Sequence, residues 1–261
     1  MICWLCLMRW NMAVDNWIAA DWPAPAWISA GTTTRNGGFS DKPYDSFNLA
    51  LHVGDDAIKV KRNREKLYQH LNLPADPVWL NQVHGCNVAD GEQVTDAGTD
   101  GCFTRTADIV CAVMTADCIP LLMCNESGTK VAAIHVGWRG LCRGIIANSV
   151  VKFNETQDRL LAWLGPSICA HHYPVQDDMR DICLQSLSTA AVSAFSPAGN
   201  GRWFADIEKL AKTELERLGV SAIYVSGRCT YSAADEFYSY RRDGKTGRMA
   251  SLIWITDNVK R

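Results

Sequence analysis

The sequence of 261 residues has no run of about twenty apolar residues, so no stretch of it is expected to span a membrane as a helix. It has no excess of either charge. The 26 basic and 28 acidic residues leave a formal net charge of -2, which argues against a nucleic-acid binder held by bulk electrostatics. Tracts rich in Pro, Gly or Ser are missing, as are internal repeats and low-complexity segments, so one domain is expected. Histidine is scarce, with six in the whole chain. A multicopper oxidase needs a blue-copper centre and a trinuclear cluster ligated largely by imidazole. Six histidines, two of them the vicinal pair His171 and His172, are too few to fill both.

What is present is ordinary globular material, 48% hydrophobic and 21% charged. A chain of this length buries about three quarters of the surface its unfolded form exposes and needs no covalent staples. The eleven cysteines sit mostly inside apolar runs, where thiols behave as small buried hydrophobes. A disulfide framework belongs to short secreted chains, so a reducing, cytoplasmic compartment is expected. The opening MICWLCLMRWN has no basic start and places Arg9 after the apolar stretch, the reverse of a signal peptide. Residues 1–11 read as an upstream extension ahead of Met12, and 1–25 as a lead-in to a catalytic domain over 26–261. Cys3 and Cys6 form a CxxC with no second pair or histidine nearby, which reads as ordinary packing.

Periodicity predicts a mixed chain. Strands are expected over 77–84, 107–117, 119–125, 130–138, 159–168, 221–227 and 249–255, several of them continuous apolar runs of the kind buried on both faces. Helices are expected from Asp56 to about Leu71, over 137–153, over 177–192, and over 203–218 with Trp203, Ile207, Leu210 and Leu218 on one stripe. Strands alternate with helices but also come in adjacent pairs. That predicts an α+β single domain with mixed β-sheets flanked by helices.

Three side chains of metal-ligand type lie where buried strands are expected to end: His84 in NQVHG, Cys118 in TADC and His135 in AAIHVGWRG. Two imidazoles and a thiolate suit zinc, and three protein ligands leave the open position of a catalytic site. The same residues permit a Cys–His nucleophile pair oriented by Asp117, and spacing alone does not choose. The blander alternative is a core thiol and two hydrogen-bonded histidines. Arg139 follows a buried strand at an expected helix N-terminus, where an anion is favoured. Arg35 precedes a Gly-Gly turn, and Arg241, Arg242 and Arg248 crowd YSYRRDGKTGR. Trp138, Tyr231, Phe237 and Tyr240 are candidates to stack on a planar base, against the commoner role of core filler. His52 reads as a structural hydrogen-bonder, His70 as exposed, and His171–His172 as a pair that would not face one metal if extended.

The strings SFNLALHVGDD, NR at 63–64, NQVHG, TDG, TADCIPLL, HVGWRGL, LGPSI, CTY and FYSYRRDGKTGRMASLIWI, in this order from about Ala26 to Ile255, resemble the YfiH-type family. That family is also described as laccase-domain proteins, polyphenol oxidases and peptidoglycan editing factors. The resemblance implies a YfiH-like fold with zinc held by His84, Cys118 and His135. It implies phosphorolysis of adenosine, inosine, guanosine and methylthioadenosine by inorganic phosphate, together with deamination of adenosine. For that chemistry Arg139, with Arg35 or Arg64, is the expected phosphate clamp, and Asp117 the expected support or proton-transfer group. The segment Ser167–Val175 departs from the family's pattern, which leaves one pocket wall undefined. The rival readings are a zinc hydrolase that removes misplaced amino acids from peptidoglycan precursors, weak phenol oxidation with copper in the same site, and a non-enzymatic scaffold.

Overall fold

The structure, a computed structural model, describes residues 16–95, 97–153 and 159–256. The proposed extension at 1–11, with Cys3 and Cys6, lies outside these residues. In chain order the elements begin with β1 (Trp17–Ala19), β2 (Ile28–Thr33) and α1 (Ala57–His70). Next come β3 (Val88–Asp90), β4 (Gly101–Thr104), β5 (Cys111–Thr115), β6 (Ile119–Asn125) and β7 (Val131–Val136). Then follow α2 (Trp138–Cys142), α3 (Ile145–Phe153), β8 (Leu160–Leu164), β9 (Pro174–Gln176) and α4 (Asp177–Ser186). The rest are β10 (Phe195–Gly199), β11 (Arg202–Ala205), α5 (Ile207–Arg217), β12 (Ala222–Val225), α6 (Tyr240–Asp243) and β13 (Met249–Ile255).

The strands form a mixed sheet of order β12-β8-β6-β7-β4-β3, an antiparallel sheet of order β1-β2-β13-β5, and a small sheet of order β10-β11-β9. Side-chain alternation shows how the two larger sheets stack. On β6, Ile119, Leu121 and Met123 pack toward α3 and α5, while Leu122 and Cys124 face the other way. That second face meets Cys111 and Val113 of β5 and Ile253 and Ile255 of β13. The opposite sides of β5 and β13 carry Ala112, Met114, Leu252 and Trp254 to Leu67 of α1 and to Phe47 and Leu49 of the loop before it. The result is four layers: helices, six-stranded sheet, four-stranded sheet, and α1 with its preceding loop. Strands covered on both faces have no solvent side to present, which explains why β5, β6 and β7 are buried along their whole length and mostly apolar.

The α+β class is as expected, and most of the central strands fall where periodicity put them. Four local expectations fail for identifiable reasons. Residues 77–84 run extended but make only a single bridge, Val78 to Cys111. In place of a ladder the Gln82 side chain receives the Met114 amide at 2.8 Å and donates to the Met114 carbonyl at 2.9 Å. The helix expected over 137–153 is split at Gly144, whose φ of 85° is left-handed, so α2 has five residues. The helix expected over 177–192 ends at Ser186, and Thr189–Ala194 is 3₁₀. Trp203 lies on β11, because Asp206 caps α5 by accepting the Lys209 amide at 2.9 Å and starts the helix there. No helix among the described residues is long and apolar enough to cross a membrane.

Candidate metal centre and cavity

Between β5 and β6 the chain leaves the four-stranded sheet and enters the six-stranded one through Ala116, Asp117 and Cys118. The step is sharp: Asp117 takes a φ of 91°, a conformation that costs a non-glycine residue on the order of 1–3 kcal/mol. Its carboxylate holds the step in place. Oδ1 accepts from Thr230 Oγ1 and Oδ2 from the Arg241 amide, each at 2.7 Å. Cys118 is thereby set half-buried at the seam between the sheets.

His135 reaches the same seam from β7, whose odd-numbered residues face the gap between the sheets. His84 arrives from the extended segment with a φ of 57°. Asp100, fully buried before β4, joins the two. Its Oδ1 accepts from the His84 amide at 2.9 Å and from His135 Nδ1 at 2.8 Å. Its Oδ2 accepts from the Gly85 amide at 2.7 Å and the Val83 amide at 3.2 Å. With Nδ1 so engaged, His135 presents Nε2 to the seam.

The donor atoms of His84, Cys118 and His135 all lie within 4.8 Å of one another, with 4.0 Å between Cys118 Sγ and His84 Nε2. Zinc bonds of about 2.3 Å to sulfur and about 2.0 Å to nitrogen put such donors about 3.5 Å apart around a tetrahedral centre. The three residues therefore fit a single ion after a small contraction. Gly137 makes the room: a Cβ there would stand 3.0 Å from the His84 ring and 3.1 Å from Cys118 Sγ.

The charges suit metal uptake. Burial alone would push the Cys118 thiol up, but His135 and His84 outweigh it and bring it down to about 6. Burial opposes protonation of His135, yet the Cys118 thiolate and Asp100 raise it to about 9. A thiol lowered in this way is thiolate above pH 6 and is protonated only below it. In metal-free protein, alkylation of Cys118 by iodoacetamide should therefore be half-maximal near pH 6. In His135→Ala protein the midpoint should move upward by at least one pH unit, read by mass spectrometry of the Cys118 peptide. An unchanged midpoint would show that the histidine does not set the thiol.

The three ligand-type residues open onto a cavity of about 500 Å³. Arg139, Arg241 and Arg248 bring positive charge to it, and Trp138, Tyr173 and Tyr240 bring aromatic faces. The Arg241 guanidinium lies over Tyr173 and donates to the Pro174 carbonyl. Arg248 donates to the carbonyls of Thr246 and Gly247, and Arg139 lies over Trp138. Thr115 also lines the cavity, and its buried hydroxyl has no hydrogen-bond partner among the described residues. His52 stands at the rim, its imidazole lowered by burial and by Arg248 and Arg64, so that it is neutral at pH 7.

The structure thus brings together His84, Cys118, His135, Asp117 and Arg139. It does not bring Arg35 or Arg64 to the cavity. Arg35 donates to the carbonyls of Asp45 and Ala234, and Arg64 donates to the Leu49 carbonyl and lies over Trp79. Of the proposed stacking residues, Tyr231 lies instead against His172, and Phe237 is wholly buried. Asp100, Gln82 and Tyr173 carry no local signal of their role. Asp100 stands inside the TDG string, but its partners lie 15 to 35 residues away.

Residues 29–256 match a family model described as multi-copper polyphenol oxidoreductase laccase. The chain is 45% identical over 240 residues to the purine nucleoside phosphorylase YfiH of Escherichia coli, covering 91% of this chain and 98% of that one. It is 44% identical over 245 residues to a purine nucleoside phosphorylase of Pseudomonas aeruginosa, covering 94% and 100%. Among solved structures, Neisseria meningitidis protein NMB0706 superimposes with a TM-score of 0.88 at 43% identity, covering 93% of this chain and 100% of that one. YlmD from Geobacillus stearothermophilus superimposes with a TM-score of 0.85 at 31% identity, covering 93% and 97%.

Proposed function

The chain belongs to the multi-copper polyphenol oxidoreductase laccase family, and from that membership we propose that it is a zinc-dependent purine nucleoside phosphorylase that also deaminates adenosine. The observation that carries the reading is one cavity holding a two-histidine, one-cysteine donor set beside three arginines. The names of relatives at 44–45% identity support its phosphorylase part. In phosphorolysis the phosphate oxygen forms a bond to C1′ as the bond from C1′ to the purine nitrogen breaks. The products are free base and ribose 1-phosphate.

In this reading His84, Cys118 and His135 hold zinc, which supplies a Lewis acid to the cavity. Arg139, Arg241 and Arg248 bind the phosphate dianion and offset its charge as it approaches the sugar. Trp138 and Tyr240 flank the planar base. Asp117, with both oxygens already engaged, holds the Arg241 backbone and acts as a positioning residue.

The test is base release from inosine and adenosine by zinc-replete protein with and without phosphate, with ammonia followed in parallel. Phosphate-dependent base release is the expected result. No release from protein that holds zinc stoichiometrically would overturn the reading. Arg139 is exposed and its guanidinium only lies over Trp138, so Arg139→Met should leave the fold intact. Loss of one charge-assisted contact should raise the KM for phosphate about tenfold or more. An unchanged KM would remove Arg139 from the clamp.

A second reading, copper-dependent polyphenol oxidation, is favoured by the donor set itself. Two imidazoles and a thiolate also suit copper, and Met114 lines the same cavity. Copper-loaded protein that oxidises phenols, while zinc-loaded protein leaves inosine intact, would favour it.

A further inference from the structure

Behind the cavity wall stands a second group of soft donors that shares no residue with the first. Cys169 Sγ lies 3.0 Å from Cys229 Sγ and 3.2 Å from His172 Nδ1, and Cys229 Sγ lies 3.9 Å from the same nitrogen. All three side chains are half-buried, so solvent ions can reach them. Ser232 Oγ is 3.3 Å from His172 Nδ1, beside the position a fourth ligand would take.

The backbone holds this group in place. Ala170–His172 forms one 3₁₀ turn, and Cys169, the residue before it, lies on the same side of the turn as His172 three positions on. The vicinal histidines are thereby divided. His172 stacks on Tyr231 with 4.3 Å between ring centroids, whereas His171 points toward Phe204. Ser167 and Cys229 form a parallel bridge, in which Ser167 donates to the Arg228 carbonyl at 3.2 Å and Thr230 to the Ser167 carbonyl at 3.0 Å. The Cys169 amide donates to Cys229 Sγ at 3.3 Å, the kind of contact that stabilises a thiolate.

We propose that Cys169, His172 and Cys229 form a second metal site, which takes one thiolate-preferring divalent cation of the zinc class and fastens the 167–173 loop to the 228–232 loop. Two thiolates and an imidazole are a preferred zinc donor set and cancel the ion's charge, with Ser232 or water completing four-coordination. Zinc–sulfur bonds of about 2.3 Å separate two sulfurs by about 3.8 Å, so the thiols open by less than 1 Å to admit the ion. Two other cysteine pairs lie as close, Cys142 with Cys183 at 3.0 Å and Cys102 with Cys111 at 3.1 Å. Neither has a third donor in reach among the described residues, so neither has the makings of a site.

The loops so joined belong to the cavity. Ile168 and Tyr173, on either side of the cluster in sequence, both line it, and Thr230 holds Asp117. Cys169, His172 and Cys229 do not themselves line the cavity, so the role of an ion here is to fix that wall. Loss of the ion should therefore raise the KM for nucleoside with little change in kcat.

The test is zinc content of the full chain, reconstituted with Zn2+ under reductant, desalted and measured by mass spectrometry. Wild-type protein should retain two equivalents, Cys118→Ala one, and Cys118→Ala with Cys229→Ser none. If Cys229→Ser does not fold, His172→Gln in the Cys118→Ala background gives the same reading. With Co2+ in place of Zn2+, the Cys118→Ala protein should show thiolate-to-cobalt absorption that the added His172→Gln weakens or abolishes. Cys118→Ala protein that retains no zinc would overturn the proposal. A Cys169–Cys229 disulfide persisting under reductant, two mass units below the dithiol, would overturn it as well.

Discussion

Cys118→Ala is expected to lower phosphorolysis by on the order of 10³-fold or more while leaving the fold in place, since a bound metal contributes several kcal/mol at the reacting centre. The physical basis is the donor count. With the thiolate gone, two imidazoles remain, and His84 keeps its backbone hydrogen bonds and the edge contact of its ring with His135. A two-ligand site does not retain zinc against dilution. The cost to folding should be small, because the Cys118 side chain is half-buried at the sheet seam and alanine leaves the Asp117 hydrogen bonds untouched. Zinc content, turnover and thermal midpoint measured on one preparation separate the two effects. Turnover unchanged at lowered zinc would show that the three residues are not the catalytic centre.

Asp100→Asn should be the more damaging change, although Asp100 meets neither substrate nor metal. Four donors converge on its carboxylate, and every one needs an acceptor. An amide supplies one acceptor and one donor. Whichever way it turns, its NH2 faces either His84 N–H with His135 Nδ1–H or Val83 N–H with Gly85 N–H. Breaking a fully buried network of this kind costs about 3–5 kcal/mol. Misorienting the imidazole costs about 10–100-fold in metal affinity. Burial alone would raise the Asp100 carboxyl, but His135 and the backbone amides of Gly85 and Val83 hold it below the ordinary carboxylate value. A depressed folded-state pKa adds stability above the unfolded-state value, and that stability is lost as pH falls through the folded one. Urea unfolding followed from pH 7 downward should show this acid-sensitive increment in wild type and not in Asp100→Asn. Equal zinc affinity and equal stability in the variant would refute the role.

The central strands and the three metal-type ligands were legible because their signals are local. β5, β6 and β7 are mostly apolar runs buried throughout, and His84, Cys118 and His135 each stand at or near the end of such a run or of an extended segment. What the sequence hid depends on partners far along the chain. Asp100 looks like any loop aspartate until Val83–Gly85 and His135 close around it. Gln82 replaces a strand ladder with one side-chain amide, so the segment before His84 has strand character without strand pairing. Arg35 and Arg64 carried the same charge signal as Arg241 and Arg248, but their guanidinium groups are spent on carbonyls and aromatic rings elsewhere. Trp203 kept helical spacing with Ile207 although a capping aspartate, Asp206, stands between them. Cys169, His172 and Cys229 give no joint signal in the sequence, because 60 residues separate the two thiols and His172 stands beside a second histidine.

The position of β13 governs how the molecule comes together in time. It lies between β2 and β5, pairing Ser251 with Thr32 on one side and with Val113 on the other. Neither neighbour has another route into that sheet beside the other, so both wait on a strand more than a hundred residues downstream. Closing loops of that length slows folding far more than it lowers stability. The three metal-type residues span only positions 84–135, yet Cys118 comes just after β5 and the Asp117 step beside it is held by Thr230 and Arg241. Arg248 enters the cavity with β13 itself. The donor cluster and the charged wall of the cavity therefore reach their final arrangement together, once the C-terminal strand has docked.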